Sequence, residues 1–177
     1  MNMNRKYLLM GLSAAGLLSL VACQSMEQGT GQKASAALES RSGSQTKGEV
    51  TFVWQGSDVI VNGKFTGLRP NAEQGFHVHE KGDCSAPDAT SAGGHFNPAT
   101  KDHGMPNSSM SHAGDMPNIK SDANGNATYT AKLHGFAVNT GPNGIIGRSV
   151  VVHRDPDDYK SQPAGNSGPR VACGLIK

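Results

Sequence analysis

The chain alternates between short apolar runs and clusters of turn-forming residues, a pattern that predicts β-strands. In an extended chain, side chains at i and i+2 point the same way, so alternating hydrophobic and polar positions are typical of half-buried strands. Six such runs are EVTFVW (49–54), DVIVNGKF (58–65), GFHVHE (75–80), NATYTAKL (126–133), RSVVVH (148–153) and VACGLI (171–176). Turn clusters such as DANGN (122–126) and NTGPNG (139–144) separate them. The pattern predicts an all-β antiparallel sandwich or barrel.

Three further stretches do not follow this pattern. KASAALESRSGS (33–44) fits a strand and a helix equally well. Residues 81–121 and 154–170 are rich in glycine, proline, serine and asparagine and have almost no apolar periodicity. Loops of this length in a compact domain are usually functional or disordered. We expect the first to be functional, because it contains four potential metal ligands.

GFHVHE places His77 and His79 two positions apart in a predicted strand. Their imidazoles therefore stand side by side on one face, while Phe76 and Val78 point to the other. Such a pair is either half of a metal site or a coincidental polar face, and this hexapeptide leaves both interpretations open.

The first long loop contains a denser group of candidate ligands: His95, His103, His112 and Asp115. Three imidazoles and a carboxylate suit Zn²⁺, which would hold together a loop that has no core of its own. The alternative is that these are solvated polar side chains. His153 ends a predicted strand and, taken alone, fits a hydrogen-bonded surface or core residue. His134 has no ligand partner nearby, and we expect it to be structural or exposed.

Composition agrees with a single loop-rich β domain. The chain has 177 residues, 23 of them glycine, with 5% aromatic and 17% charged residues. Its net charge is +2, but Arg5 and Lys6 in the N-terminal segment account for the excess of basic side chains. The remainder is formally neutral and has no basic run, which argues against nucleic-acid binding.

The N-terminus has the features of a targeting segment. MNMNRKY is basic, and Leu8 to Ala22 form an apolar stretch of secretory length. LVAC (20–23) resembles the lipobox of bacterial lipoproteins, which implies cleavage after Ala22 and a lipid on Cys23; ordinary secretion is the alternative. Acylation would also account for the odd number of cysteines, three. We therefore expect a signal peptide at 1–22, a polar tether at 23–32 and one domain at 33–177. Gln24 after Cys23 slightly favours the outer membrane.

Six motifs together resemble copper/zinc superoxide dismutase: GFHVHEKGDC, GGHFNP, HGMP, HAGD, GIIGRSVVVH and GNSGPRVACGLI. HAGDMPN and DDYKSQPAGNSG resemble the bacterial periplasmic branch, and the likeness covers residues 48–177 in order. It implies a Greek-key, eight-stranded antiparallel β-barrel or sandwich, immunoglobulin-like, with two long functional loops.

The resemblance also implies roles for individual residues. The implied copper ligands are His77, His79, His95 and His153. The implied zinc ligands are His95, His103, His112 and Asp115, with His95 bridging the metals and passing a proton to the product. Asp157 would hydrogen-bond one histidine of each set, Arg170 would attract the anion, and Cys84 would form a disulfide with Cys173. The departures from the family pattern are Pro169, Met105 and Pro156, and no ligand is missing.

The function implied is dismutation of superoxide to molecular oxygen and hydrogen peroxide, with one copper and one zinc ion per subunit. We expect it in the periplasm or cell envelope, attached to a membrane through Cys23, as a monomer or homodimer. The alternatives are a lipid-anchored metal-binding or copper-delivery protein on the same fold and a purely structural β domain.

Overall fold

The structure, a computed structural model, describes residues 31–177. The predicted signal peptide and Cys23 lie outside these residues, as does the tether up to residue 30. Within the described range there are nine strands and one short 3₁₀ turn, Thr90–Ala92. The strands are β1 (Lys33–Ser40), β2 (Lys47–Gln55), β3 (Asp58–Thr66), β4 (Glu73–Gln74), β5 (Phe76–His79), β6 (Ile119–Lys120), β7 (Ala127–Leu133), β8 (Ser149–His153) and β9 (Arg170–Leu175). No helix in this part of the chain is long and apolar enough to cross a membrane.

Seven strands form one antiparallel sheet in the order β5-β8-β9-β1-β2-β3-β7, and β4 pairs with β6 in a small ribbon. Only Gly75 separates β4 from β5, so the two make one interrupted strand and the total becomes eight. The sheet curls, and β6 of the ribbon contacts β7 at its far edge. The predicted all-β antiparallel architecture is therefore confirmed.

The ambiguous segment at 33–44 begins with a strand. Ala34, Ala36 and Leu38 of β1 are buried, and the residues between them are exposed. β1 pairs with β2 over most of its length and then with β9 through Glu39 and Ser40. These long-range hydrogen bonds decide between strand and helix, which the local sequence does not.

The inward faces of the strands form one aromatic and aliphatic core. Phe76 packs edge-on against Phe65 and Tyr129, with ring centroids 5.3 Å and 5.2 Å apart. Leu38, Phe52 and other apolar side chains complete the cluster. Such edge-to-face pairs contribute about 0.5–1.5 kcal/mol each beyond the area they bury.

The first long loop covers the free edge of β5. Val78 donates its backbone N–H to Gly114 at 2.9 Å and accepts one from Phe96 at 2.8 Å, while Glu80 N–H donates to Gly94. The loop thus continues the sheet where no strand is available, which satisfies an exposed edge. It also brings His95 and Asp115 beside β5.

A disulfide attaches the same loop to β9, two strands away from β5 in the sheet. Cys84 and Cys173 are bonded, with their Cα atoms 5.7 Å apart and 89 positions apart in sequence. Cys173 lies in β9 and packs with Ala89, Ala92 and Val151. The disulfide implied by the sequence resemblance is present.

Candidate metal centre

The strand pair β5–β8 supplies the fixed part of the site. Phe76 and Val78 point into the core, and His77 and His79 point to the other face of β5, as the alternation predicts. His153 ends β8, the strand that pairs with β5. All three histidines are buried because the two long loops close over this face.

Two groups of ligand-type side chains meet there. The first consists of His77, His79, His95 and His153, and the second of His95, His103, His112 and Asp115. Within each group the potential ligand atoms lie within 4.8 Å of one another, and every member is buried. The sequence singled out these same residues.

The second group converges on a single carboxylate oxygen. Asp115 Oδ1 lies 2.9 Å from His95 Nδ1, 3.1 Å from His103 Nδ1 and 3.3 Å from His112 Nδ1. Three imidazole nitrogens and one carboxylate oxygen are the donor set of a tetrahedral zinc site.

The first group contains only imidazoles. His79 Nε2 is 3.3 Å from His153 Nε2, and the rings of His77 and His95 stack with centroids 3.9 Å apart. Four imidazoles without a carboxylate suit copper better than a hard cation such as magnesium or calcium.

His95 belongs to both groups and connects them. Its Nδ1 faces Asp115, whereas its Nε2 is buried and has no hydrogen-bond partner among the described residues. Two other buried nitrogens also make no hydrogen bond, His77 Nδ1 and His103 Nδ1, although Asp115 Oδ1 lies 3.1 Å from the second of them. Burying a polar atom without a partner costs about 1–3 kcal/mol. A metal ion in each group would satisfy these nitrogens.

In four of the histidines, the ring nitrogen that faces away from the other ligand atoms makes a hydrogen bond, which fixes the orientation of the ring. His79 Nδ1 donates to the carbonyl of Gly93 at 3.0 Å, and His153 Nδ1 donates to that of Gly168 at 3.1 Å. The Nε2 atoms of His77 and His103 both donate to Asp157, at 2.8 Å and 2.9 Å. Such outer contacts orient metal-binding histidines.

Burial and charge act differently on the two groups. Burial holds the pKa values of His77 and His79 well below the usual range and lowers that of His153 to about 3. These imidazoles are therefore neutral near pH 7, the form that binds metals. Burial also opposes protonation of His103, but the adjacent carboxylates of Asp115 and Asp157 outweigh it and raise its pKa to about 9.

Comparison with known proteins agrees with this geometry. Residues 46–176 match the family model described as copper/zinc superoxide dismutase. The chain belongs to the copper/zinc superoxide dismutase family.

Two relatives come from Aquifex aeolicus (strain VF5). This chain is 40% identical to "Superoxide dismutase [Cu-Zn] 2" over 96% of its own length and 98% of the relative, and 43% identical to "Superoxide dismutase [Cu-Zn] 1" over 73% and 79%. Among solved structures, the clock protein EA4 superimposes with a TM-score of 0.74 at 44% identity, covering 84% of this chain and 95% of that one. The chain is accordingly an oxidoreductase of the superoxide dismutase class, with copper and zinc as cofactors.

Two further residues singled out in the sequence, Asp157 and Arg170, lie beside the ligand-type groups. Asp157 connects the two groups through His77 and His103. Arg170 lies beside the all-imidazole group, since its guanidinium donates to the same Gly93 carbonyl that His79 contacts, and also to Ala89. It borders a surface cleft of about 260 Å³. His134 is outside both groups and is half-exposed, with Nδ1 against Asp58.

Sequence reasoning missed the residues that hold the loops together. Gly165 has a φ of 65°, and a Cβ there would lie 1.8 Å from Asp157 Oδ1, so only glycine fits this dismutase loop. Asn118 and Gln162 make paired contacts to the backbone of the opposite loop. The only sequence signal is a loop rich in amide side chains, which does not reveal their partners.

Proposed function

We propose that this dismutase acts in the bacterial cell envelope, tethered through a lipid on Cys23, with each ligand group holding one metal. The proposed copper ligands are His77, His79, His95 and His153; the proposed zinc ligands are His95, His103, His112 and Asp115. The observation that carries this proposal is the sharing of His95 between two buried groups of different donor chemistry.

Copper, when bound, supplies the one-electron oxidation and reduction that convert two superoxide anions to oxygen and peroxide. The chain provides the remaining functions. Forming peroxide consumes two protons, and His95 Nε2, buried and without a protein partner, is the atom at which we propose a proton is held for transfer. Asp115 at Nδ1 fixes the ring for that role.

Arg170 is proposed to attract and position the anion. Its side chain is half-buried, and two of its nitrogens donate to the carbonyls of Ala89 and Gly93. Guanidinium has five N–H donors and remains charged at any physiological pH, so donors are left for a small anion. The carbonyl contacts hold the charge close to His79, whose ring contacts the same Gly93 carbonyl.

The proposed location depends on the N-terminal sequence alone. The basic start, the apolar stretch Leu8–Ala22 and the LVAC motif support lipidation of Cys23 and export. Expressed in a bacterial host, the wild-type protein should fractionate with membranes and carry acyl mass. Cys23→Ser should be released as soluble protein with unchanged activity. A wild-type protein recovered soluble and without acyl chains would contradict the anchor.

Metal analysis and superoxide consumption, measured on one purified sample, test the activity. We expect one copper and one zinc per chain, and turnover that is lost on copper removal and restored by copper. Bound metals without turnover would favour a metal-binding or copper-delivery protein, and a failure to bind either metal would overturn the proposed sites.

A further inference from the structure

Two amide side chains join the long loops, each by hydrogen bonding to the backbone of one residue in the opposite loop. We call an amide clamp a side chain whose oxygen accepts a backbone N–H and whose nitrogen donates to a backbone carbonyl of the same residue. Gln162, in the loop 154–169, clamps His103 in the first loop. Asn118, in the first loop, clamps Asp157 in the other. The two clamps run in opposite directions.

The Gln162 clamp has good geometry on both sides. His103 N–H donates to Gln162 Oε1 at 2.9 Å, and Gln162 Nε2 donates to His103 C=O at 2.9 Å. This reproduces the pairing of a β-bridge with a side chain in place of a strand. The backbone of His103 is thus fixed at both of its polar groups, directly beside its ring.

The Asn118 clamp does the same for Asp157. Asp157 N–H donates to Asn118 Oδ1 at 3.0 Å, and Asn118 Nδ2 donates to Asp157 C=O at 3.0 Å. The phenol oxygen of Tyr159 accepts the backbone N–H of Asn118 at 2.7 Å, which holds Asn118 itself.

The two clamped residues also contact each other. His103 Nε2 donates to Asp157 Oδ1 at 2.9 Å, between the clamps. The ring of His103 is therefore fixed in two ways. Gln162 holds the backbone of His103, and the ring also bonds Asp157, whose own backbone is held by Asn118. The two amide clamps and the His103–Asp157 ion pair together fix the position of one imidazole.

We infer that Gln162 and Asn118 are positioning residues that set the zinc affinity of the dismutase by fixing His103 before metal arrives. This inference rests on the proposed zinc site. A loop that is ordered in advance loses less conformational entropy when the metal binds. Releasing His103 should therefore weaken zinc binding, and removal of outer contacts of this kind costs about 10–100-fold in metal affinity.

Gln162 gives the cleaner test, because its side chain is largely exposed and its loss leaves no cavity. Gln162→Met keeps the length of the side chain and removes both hydrogen bonds. In the fully loaded enzyme, zinc should transfer to an excess of chelator about tenfold faster than in the wild type. Hydrogen exchange of the amide of His103 should also accelerate. Gln55→Met, in the β2–β3 hairpin away from the loops, is the matched control and should lose zinc at the wild-type rate.

Thermal unfolding of metal-free and zinc-loaded protein separates positioning from general stabilisation. If the inference holds, Gln162→Met lowers the midpoint of the loaded form more than that of the metal-free form. Equal shifts in both forms, or zinc loss within twofold of the wild type, would overturn it. A wild-type chain that binds no zinc would instead remove the proposed zinc site, so the two failures are distinguishable.

Discussion

At the scale of single residues, the buried histidines differ from the exposed one in what their ring nitrogens contact. Each histidine of the two groups has one nitrogen facing the other ligand atoms. His134 instead pairs with Asp58 at the surface, with its side chain 54% exposed. The presence of a histidine does not by itself identify the site. Its burial and the contacts of both ring nitrogens do.

His77→Ala should remove one imidazole from the all-imidazole group while leaving the zinc group complete. We expect loss of copper and a fall in superoxide turnover of more than about a hundredfold, because even outer contacts of metal ligands are worth 10–100-fold. Zinc content should stay at the wild-type level. His134→Ala is the matched control and should keep both metals and full turnover; near wild-type activity in His77→Ala with full metal would refute the assignment.

Arg170→Ala should keep both metals and the fold and slow superoxide consumption by roughly tenfold, equivalent to about 1.4 kcal/mol. Arg170→Glu should be slower still, because it repels the anion. Rising ionic strength should slow the wild type more than Arg170→Ala, since salt screens the steering charge.

Arg154, an exposed arginine paired with Asp155, provides the control for charge alone. Arg154→Ala lowers the net charge equally and should have a much smaller effect on rate. If Arg170→Ala lost stability while its rate per bound copper stayed unchanged, the contacts to Ala89 and Gly93 would be its only role.

At the scale of elements, the first long loop has no strand longer than two residues, yet contacts with several other parts of the protein hold it in place. It pairs with the edge of β5, is bonded to β9 through Cys84, and is clamped to the second loop through Gln162. The proposed zinc group adds the remaining constraint, because all four of its members lie on this loop: His95, His103, His112 and Asp115. We therefore expect metal binding and loop order to be coupled.

Asp115→Ala should weaken zinc binding and loosen the loop. The substitution removes the oxygen on which three imidazole nitrogens converge, and zinc binding contributes directly to folding free energy. We expect lower thermal stability and faster hydrogen exchange across 81–121, with little change in β1–β3. Asp102→Ala, an exposed carboxylate of the same loop, should change neither. Unchanged exchange in Asp115→Ala would show that the loop is ordered without zinc.

At the scale of the whole molecule, most of the stabilising contacts are long-range. β1 pairs with strands from the middle and the end of the chain, and the aromatic core combines β3, β5 and β7. Two loops without extended strands then sit on one face. The Cys84–Cys173 bond links the first of these loops to β9 across a sequence separation of 89 positions.

Replacing Cys84 and Cys173 together by alanine should destabilise the folded protein. The chain-entropy account gives about 4.6 kcal/mol for a closed loop of this length, less any strain. The loss should appear as a lower denaturant midpoint and a lower thermal midpoint. Reduced wild-type protein should behave like the double variant, and a free thiol at Cys84 in wild-type protein isolated without reductant would contradict the bond.

The amino-acid sequence by itself determined the strand pattern and the identity of the candidate ligands. Alternation in 49–54 and 58–65 is a local property, and so is the placement of His77 and His79 on one face of β5. The spacing of imidazoles in the first loop likewise predicts a zinc group. These features depend on side-chain type and near neighbours, which a sequence displays directly.

Only the tertiary structure decided the features that join distant segments. Strand β1, the β4–β6 ribbon and the two amide clamps depend on which backbone groups meet after the sheet curls. An asparagine or glutamine in a loop can satisfy its hydrogen bonds in water or on many backbone positions, so its partner is not encoded locally. The packing of the two long loops against each other decides the partner. For Gln162 the partner is the backbone of His103, and for Asn118 it is the backbone of Asp157.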